Sequence, residues 1–303
     1  MLFDRIEKIK QINELKDLEN NAYLSFSGGK DSTVLHYLLD IALPNNKIPR
    51  LYINTGIEYS DIRKYVFQLA KTDNRIIIIN SNVNIKNMLE TEGYPFKSKE
   101  HSLKVSEYKK GSTAVNIIKY KEGTDRYSCP QILKYQYTDA FKLKISNKCC
   151  YKLKKEIAHK WQVDNNKSIV LTGMRASEGG QRSNLSCLTS NGTKFHPLVV
   201  VDNNFMDQFI ETYNIKLCRL YYPPFNFKRT GCKGCPFNIN LQEDLDIMLE
   251  LLPNERKQCE IIFGPVYAEM RRIGYRLRPT LNIFELLLLQ EVIDEQRIFS
   301  ISR

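Results

Sequence analysis

Residues 24–32 read Leu24-Ser25-Phe26-Ser27-Gly28-Gly29-Lys30-Asp31-Ser32, and this stretch decides the fold. The apolar run from Ala22 to Phe26 predicts a short buried strand, which the two glycines interrupt. In residues 33–39 apolar side chains recur at helical spacing. We therefore predict a strand, a tight loop and a helix in succession.

The loop between this strand and this helix predicts a phosphate-binding site. Adjacent glycines let a ligand approach the main chain, and the N–H groups and dipole of the helix start favour an anion. The spacing differs from a Walker A loop, G-x-x-x-x-G-K-[ST], because the glycines are adjacent. A turn that merely uses glycine is the alternative, but the strand–loop–helix context favours the phosphate site. The candidate residues are Ser25, Ser27, Gly28, Gly29, Lys30, Asp31 and Ser32.

The composition is that of a globular protein with an anionic partner. The 303 residues carry a formal net charge of +11, from 45 basic against 34 acidic side chains. This excess suits a nucleotide, an adenylyl sulfate or a nucleic acid, and the alternative is a lysine-rich solvated surface. Since the apolar run Leu286 to Leu289 is short and the N-terminus lacks a signal-peptide core, we expect a cytoplasmic protein without membrane contact.

Strands and helices alternate along the first part of the chain. Further strands are predicted at residues 51–53, 75–79, 168–172 and 194–200, and the isoleucine run at 76–79 is typical of a strand buried on both faces. This alternation predicts an α/β protein with a parallel sheet. Ligands of such sheets bind at the carboxyl ends of the strands, near a switch in strand order. We therefore expect Asn54, Thr55 and Gly56, after the second strand, to complete a nucleotide pocket.

Three segments are expected along the chain. Residues 1–20 form an N-terminal helix, residues 21–240 an α/β domain carrying the cysteine site, and residues 241–303 a helical extension whose last helix contains Ile283 to Val292. Within the domain, residues 90–148 are irregular and rich in tyrosine and lysine. This insertion is a candidate substrate lid or nucleic-acid surface, and the alternative is an exposed helical insertion with ordinary tyrosine anchors.

Four of the eight cysteines form two pairs. Cys149 and Cys150 are adjacent, and Cys232 and Cys235 follow in a Cys-x-x-Cys turn with glycines. Two pairs supply four soft ligands, which suit a [4Fe–4S] cluster or a structural zinc. The spacing alone leaves both metals open, although adjacent cysteines are unusual for zinc.

The loop and the cysteines together resemble a known family. Ser27-Gly28-Gly29-Lys30-Asp31-Ser32 resembles the signature of the PP-loop ATP pyrophosphatase superfamily. Cys-Cys followed about eighty residues later by Cys-x-x-Cys-Pro is similar to the cluster motif of its phosphoadenosine phosphosulfate and adenylyl-sulfate reductases. Weaker matches lie at Asn54-Thr55-Gly56, at Gly173-Met174-Arg175 with Glu178 and Arg182, and at the arginine-bearing entry Phe227 to Cys232, which includes Arg229.

The resemblance implies a Rossmann-like adenine nucleotide α-hydrolase fold with a helical C-terminal extension. It implies ATP or an adenylyl sulfate as substrate, and a [4Fe–4S] cluster on Cys149, Cys150, Cys232 and Cys235, with zinc as the alternative. Lys30, Asp31 and Arg175 are the candidate catalytic residues, and Asp31 orients the loop or a Mg²⁺ ion. Gly173, Arg175, Arg182 and Arg229 are expected at the nucleotide, where the arginines bind sulfate, α-phosphate or pyrophosphate unless they form surface ion pairs.

The sequence departs from the family at two places. The reductases carry a nucleophilic cysteine in a C-terminal Cys-Gly-x-His motif, which this sequence lacks, and Asn54 replaces an aspartate. Either Cys129 or Cys259 acts as the nucleophile, or the reaction differs. Two reactions remain: reduction or related processing of an adenylyl sulfate, and ATP-dependent sulfuration of DNA or tRNA with release of pyrophosphate. A cysteine desulfurase and a thioredoxin-type protein are the candidate donors, and a non-catalytic nucleotide-binding regulator is the third hypothesis.

Overall fold

The computed structural model describes residues 1–279. The chain forms two compact units, one made of residues 1–93 and 147–233 and the other of residues 94–146 together with residues 234–279. The helix predicted at residues 283–292 and the run Leu286 to Leu289 lie outside the described residues. The segment boundaries at residues 20 and 240 remain predictions.

A parallel sheet forms the centre of the first unit. Its strands are β1 (Ala22–Ser25), β2 (Arg50–Asn54), β3 (Ile76–Asn80), β4 (Ile169–Leu171) and β5 (Lys194–Phe195). They lie in the order β3-β2-β1-β4-β5, and every pairing is parallel. The predicted α/β class with a parallel sheet is thereby confirmed.

Helices connect and cover these strands. In chain order they are α1 (Leu2–Lys16), α2 (Leu18–Asn21), α3 (Lys30–Ala42), α4 (Ser60–Thr72), α5 (Ile85–Glu92), α6 (Lys99–Lys109), α7 (Val115–Glu122), α8 (Glu156–Asp164), α9 (Asn203–Thr212), α10 (Leu241–Leu251) and α11 (Pro253–Arg272). In the first unit α3 is the most deeply buried, because its apolar positions lie in the main core with β1, α1 and α9. This burial fixes the first turn of α3 at the end of β1.

Two strands differ in part from the sequence prediction. β3 is an edge strand that pairs only with β2, so Ile77, Ile78 and Ile79 are partly exposed, although Ile78 packs on the main core and Ile77 and Ile79 pack on a second apolar cluster. β5 ends at Phe195 and does not continue to residue 200. The chain turns at His196, whose carbonyl accepts the Val199 N–H at 3.1 Å, and Pro197 has no N–H for a sheet bond.

The second unit is mainly helical. Its inserted part is closed at the base by two backbone bonds, Tyr94 N–H to Lys144 O and Ser146 N–H to Tyr94 O, both 2.8 Å. α6 packs on α7, and α10 packs on α11. Across residues 1–279, none of the helices combines the length and the apolar character that a membrane span requires.

Candidate nucleotide and cysteine site

The sequence-predicted loops meet at the switch point of the sheet. β1 pairs with β2 on one side and with β4 on the other, and the strand order runs outward in opposite directions from the β1–β4 pair. The segment 26–32 follows β1, and Gly173 to Arg175 follow β4. The carboxyl ends of such a pair are where α/β sheets bind ligands.

Glycine and serine residues shape the loop after β1. Gly28 has φ +70°, and a Cβ there would lie 2.5 Å from Val66 Cγ2, so only glycine fits. The Ser27 N–H donates to Ser32 Oγ at 3.2 Å, and the Ser32 hydroxyl donates to Gly29 O at 3.0 Å. These bonds close the loop onto the first turn of α3.

Tyr221 contacts this loop, although the sequence analysis did not identify it. Its hydroxyl accepts the Lys30 N–H at 2.9 Å and lies 2.5 Å from the Thr230 hydroxyl. Burial raises the pKa of Tyr221 to about 12, so the phenol stays protonated at neutral pH. The Tyr221 hydroxyl therefore accepts a hydrogen bond from a backbone N–H at the start of α3, a position that favours an anion. No motif marked this tyrosine, which lies 191 residues from Lys30.

The loop after β4 approaches the same turn of α3. A Cβ on Gly173 would lie 2.8 Å from the backbone carbon and oxygen of Asp31. The Asp31 carboxylate accepts from Arg175 Nε at 2.9 Å, and Arg175 also donates to Ser177 and Asn203. Burial raises the pKa of Asp31 above its ordinary value, against the opposing charge of Arg175. Two of the candidate catalytic residues thus form one ion pair.

The other candidate cations are also paired with carboxylates. Lys30 Nζ lies 3.3 Å from Asp207, which is on α9. Arg229 lies 2.8 Å from Glu178, and Arg182 bonds to the same carboxylate. An incoming phosphate or sulfate must therefore exchange with these carboxylates to reach the cations.

The loop after β2 is organised by Glu58, which the sequence analysis did not select. The buried Glu58 carboxylate accepts the Thr55 N–H at 3.0 Å and the Thr55 hydroxyl at 2.7 Å. Gly56 has φ +80° and turns the chain between them. Asn54 donates to Asn80 at 2.8 Å, while its own Oδ1 is buried without a hydrogen-bond partner. This acceptor is available to a ligand N–H or O–H.

Glu58 also connects this loop to the cysteine segments of the first unit. Its backbone forms an antiparallel bridge with Cys232, and its carboxylate lies 3.0 Å from Lys154 Nζ. Although burial opposes it, the charges of Cys232 and Glu58 raise the pKa of Lys154. Lys154 belongs to a π-helical turn, Tyr151–Lys155, that begins directly after Cys150. Such turns are frequent at functional sites.

The candidate metal ligands are distributed over both units. Cys149, Cys150 and Cys232 belong to the first unit, and Cys235 belongs to the second. Cys149 is buried, and Cys150 and Cys232 are half-buried. Within residues 1–279, no group of three or more His, Cys, Asp or Glu side chains is arranged to hold a metal ion.

The sequence of residues 21–238 decides the family. This part of the chain matches the model of the phosphoadenosine phosphosulfate reductase domain. The chain belongs to this reductase-domain family. The match includes the loop after β1, the loop after β4 and all four paired cysteines, so the resemblance drawn from these motifs is confirmed.

Individual proteins similar to this member of the reductase-domain family were also found. An uncharacterised protein of Methanocaldococcus jannaschii is 34% identical over 103 residues, which are 31% of this chain and 25% of that protein. The matched region thus spans about a quarter of the length of the curated relative. A phosphoadenylyl-sulfate reductase from Candida auris, solved as a phosphate complex, has 16% identity and a TM-score of 0.41, covering 70% of this chain and 81% of its own. The U34-tRNA thiolase NcsA from Methanococcus maripaludis, solved with its [4Fe-4S] cluster, has 13% identity and a TM-score of 0.41, covering 87% of this chain and 78% of its own.

Neither of the two cysteines considered as an alternative nucleophile is exposed. Cys129 is 4% exposed and Cys259 is 0% exposed. Burial raises the pKa of the Cys129 thiol to about 11, which disfavours the reactive thiolate. Both belong to the second unit, whereas the loop after β1 belongs to the first.

Proposed function

We propose that this reductase-domain protein is an adenine-nucleotide-dependent sulfur-transfer enzyme. The single observation that supports the proposal most is the geometry at the β1–β4 switch point. There a glycine-turned loop at the start of α3 lies against Gly173 and the Asp31–Arg175 pair. In this position a phosphate chain contacts helix N–H groups and at least one guanidinium.

The proposed roles follow from these contacts. Ser27, Gly28, Gly29 and Ser32 surround the phosphate chain, with Ser25 at the exposed end of β1. Lys30, Arg182 and Arg229 exchange their carboxylate partners for phosphate or sulfate oxygens and stabilise the negative charge of the departing group. Arg175 positions Asp31, whose carboxylate orients the loop or a Mg²⁺ ion held by the phosphates. Asn54, Thr55 and Gly56 contact the nucleoside, and the unpaired Asn54 Oδ1 accepts a hydrogen bond from it.

We further propose that Cys149, Cys150, Cys232 and Cys235 hold a [4Fe–4S] cluster, with zinc as the alternative. The donor chemistry fits, because four thiolates suit either metal and Lys154 supplies a cation beside Cys232. When bound, the cluster supplies iron that can carry electrons or sulfur. Glu58 holds Lys154 and Thr55 at once, and therefore aligns the cysteine segments of the first unit with the loop after β2.

The second candidate function is ATP-dependent sulfuration of a nucleic acid. The observation that favours it is the loop sequence Ser27-Gly28-Gly29-Lys30-Asp31-Ser32, which resembles that of ATP pyrophosphatases. An acceptor oxygen attacks the α-phosphorus of ATP, the bond to the β-phosphate breaks and pyrophosphate leaves. The outer sulfur of a cysteine persulfide on a desulfurase-type donor then displaces AMP, and a thioredoxin-type dithiol supplies the two electrons that cleave the resulting S–S bond and leave one sulfur on the acceptor. In the reductase alternative, a thioredoxin-type protein supplies the electrons.

Anaerobic purification followed by two assays tests these proposals. Iron and sulfide content with visible absorption identifies the metal, and zinc without iron excludes the cluster. Sulfite from an adenylyl sulfate supports the reductase, whereas AMP and pyrophosphate from ATP only in the presence of DNA or tRNA support sulfuration.

Matched variants separate the nucleotide and metal functions. We expect Ser27→Ala to lose turnover and keep iron, and Cys232→Ala to lose iron and keep nucleotide binding. Ser190→Ala and Cys187→Ser, at positions outside the proposed site, are the controls and should retain both. Nucleotide binding without turnover under every condition would instead identify a regulator.

A further inference from the structure

The inserted part of the second unit carries most of the excess positive charge. Residues 94–146 contain eleven basic and five acidic side chains, a net charge of +6 out of +11 for the whole chain. None of these basic residues is among the candidates for the nucleotide site. A segment of 53 residues that holds more than half of the net charge indicates an anionic partner of its own.

Within this segment, residues 123–128 form a closely tied loop after α7. Its ends are joined by the Cys129 N–H, which donates to Tyr120 O at 2.7 Å. A Cβ on Gly123 would lie 2.1 Å from Ser128 Oγ, so only glycine allows the loop to close. The Asp125 carboxylate accepts the Tyr127 N–H at 2.7 Å and the Ser128 hydroxyl at 3.0 Å. The loop is therefore held in one conformation by its own hydrogen bonds.

The tip of the loop presents an aromatic ring to solvent. Tyr127 is 72% exposed, and the Arg126 guanidinium carbon lies 4.7 Å from the centre of its ring. Nearby, Lys121 lies 4.5 Å above the ring of Tyr108, and Lys119 is exposed one turn before the loop. An ordered loop that exposes a large ring beside cations leaves that ring available for stacking.

We propose that this α7 loop surface, defined as Tyr108, Lys119, Lys121, Arg126 and Tyr127, binds single-stranded nucleic acid. The cations contact phosphates, and the Tyr127 ring stacks on an unpaired base. A duplex buries its base faces, and an acidic peptide offers no regular partner for the exposed ring. This surface extends the second candidate function, nucleic-acid sulfuration. Only the claim that the bound strand is the sulfur acceptor rests on that proposed function.

Fluorescence anisotropy with labelled single-stranded DNA and RNA 20-mers tests the surface on the full-length chain. We expect Tyr127→Ala to weaken binding about five-fold or more with an unchanged salt slope, and Tyr127→Phe to retain affinity because a phenyl ring still stacks. The double variant Lys119→Glu/Arg126→Glu should weaken binding and reduce the slope of log K against log[salt] by about 1.4, two phosphate contacts at 0.7 each. Lys64→Glu/Lys71→Glu on α4, with the same charge change, is the control.

Several outcomes contradict the proposal. Equal affinity for the matched duplex excludes recognition of unpaired bases, and binding to phosphatidylserine vesicles in preference to oligonucleotides assigns the surface to a membrane. Equal losses of strand affinity in Lys119→Glu/Arg126→Glu and in Lys64→Glu/Lys71→Glu would show a general effect of net charge and contradict a specific surface. Nucleotide turnover is measured separately. Strand binding without turnover would support the α7 loop surface and contradict the proposed function. Turnover without strand binding would support the proposed function and contradict the α7 loop surface.

Discussion

Gly173 is the residue at which the loop after β4 comes closest to α3. We predict that Gly173→Ala lowers the free energy of unfolding by about 1–3 kcal/mol, because the added Cβ meets the backbone of Asp31 at 2.8 Å and backbone cannot easily move aside. Nucleotide binding should weaken as well, since Asp31 lies in the first turn of α3. Urea unfolding and calorimetric titration with a non-hydrolysable ATP analogue measure the two effects.

Gly264→Ala is the matched control for this substitution. A Cβ at Gly264 meets nothing within 4 Å, and the residue lies inside α11. Alanine should therefore be neutral or stabilise the helix by up to about 1 kcal/mol. A Gly173→Ala protein as stable as the wild type, with unchanged nucleotide affinity, contradicts the proposed close approach of the two loops.

The Lys30–Asp207 pair predicts a gain of affinity on mutation. Asp207 is 67% exposed, so Asp207→Asn should change stability little, but it frees Lys30 for the phosphate chain. We expect nucleotide to bind about 1.4- to five-fold more tightly, equivalent to the roughly 0.2–1 kcal/mol of an exposed ion pair. Titration at low ionic strength measures this gain. Glu211→Gln on the same helix is the control, and an equal gain in that variant assigns the effect to net charge alone.

At the scale of single elements, α6 predicts how stability depends on pH. His101 on α6 is fully buried and bonds to Gln136 at 2.8 Å, and burial lowers its pKa to about 4. In the unfolded chain the pKa is about 6.5, so between pH 6.5 and 4 only the unfolded state binds this proton. His101 alone should therefore lower the free energy of unfolding by about 3 kcal/mol as the pH decreases through this range, and it should add no further change below pH 4.

Urea unfolding at a series of pH values measures this slope. His101→Gln should reduce it, whereas His159→Gln on the exposed surface of α8 should leave it unchanged. His36 is also buried, and burial lowers its pKa to about 4, so part of the slope should persist in the His101 variant. A wild-type protein whose stability is constant from pH 6.5 to 4 contradicts the argument.

The elements themselves show how far the sequence determines the fold. The strand, loop and helix at residues 22–42 follow from local pattern, because the hydrophobic period, the glycines and the helix start all lie within one short segment. The isoleucine run of β3 could not reveal an edge position, since the neighbours of a strand depend on the strand order. The end of β5 was predictable from the sequence, because Pro197 lacks the N–H that a longer strand would need. The predicted strand at residues 194–200 was therefore too long.

Long-range contacts explain why the candidate site was only partly predictable. Motif residues could be selected because each motif is local, as in Gly28-Gly29 or Cys232-x-x-Cys235. Tyr221 and Glu58 bring motifs together through single hydrogen bonds to distant segments, and a lone tyrosine or glutamate has no local signal. The carboxylates Asp207 and Glu178 likewise show their role only after folding, when each lies beside a candidate cation.

At the scale of the whole molecule, the uneven charge predicts two different salt dependences. The candidate cations of the nucleotide site each have a carboxylate partner, so nucleotide binding exchanges ion pairs. The exposed basic residues around α7 release counterions from a bound strand instead. Raising the salt from roughly 50 to 200 mM should weaken single-strand binding about 20-fold for three phosphate contacts, and nucleotide binding much less. Parallel titrations of one preparation measure both slopes, and equal slopes would show that both ligands use one basic surface.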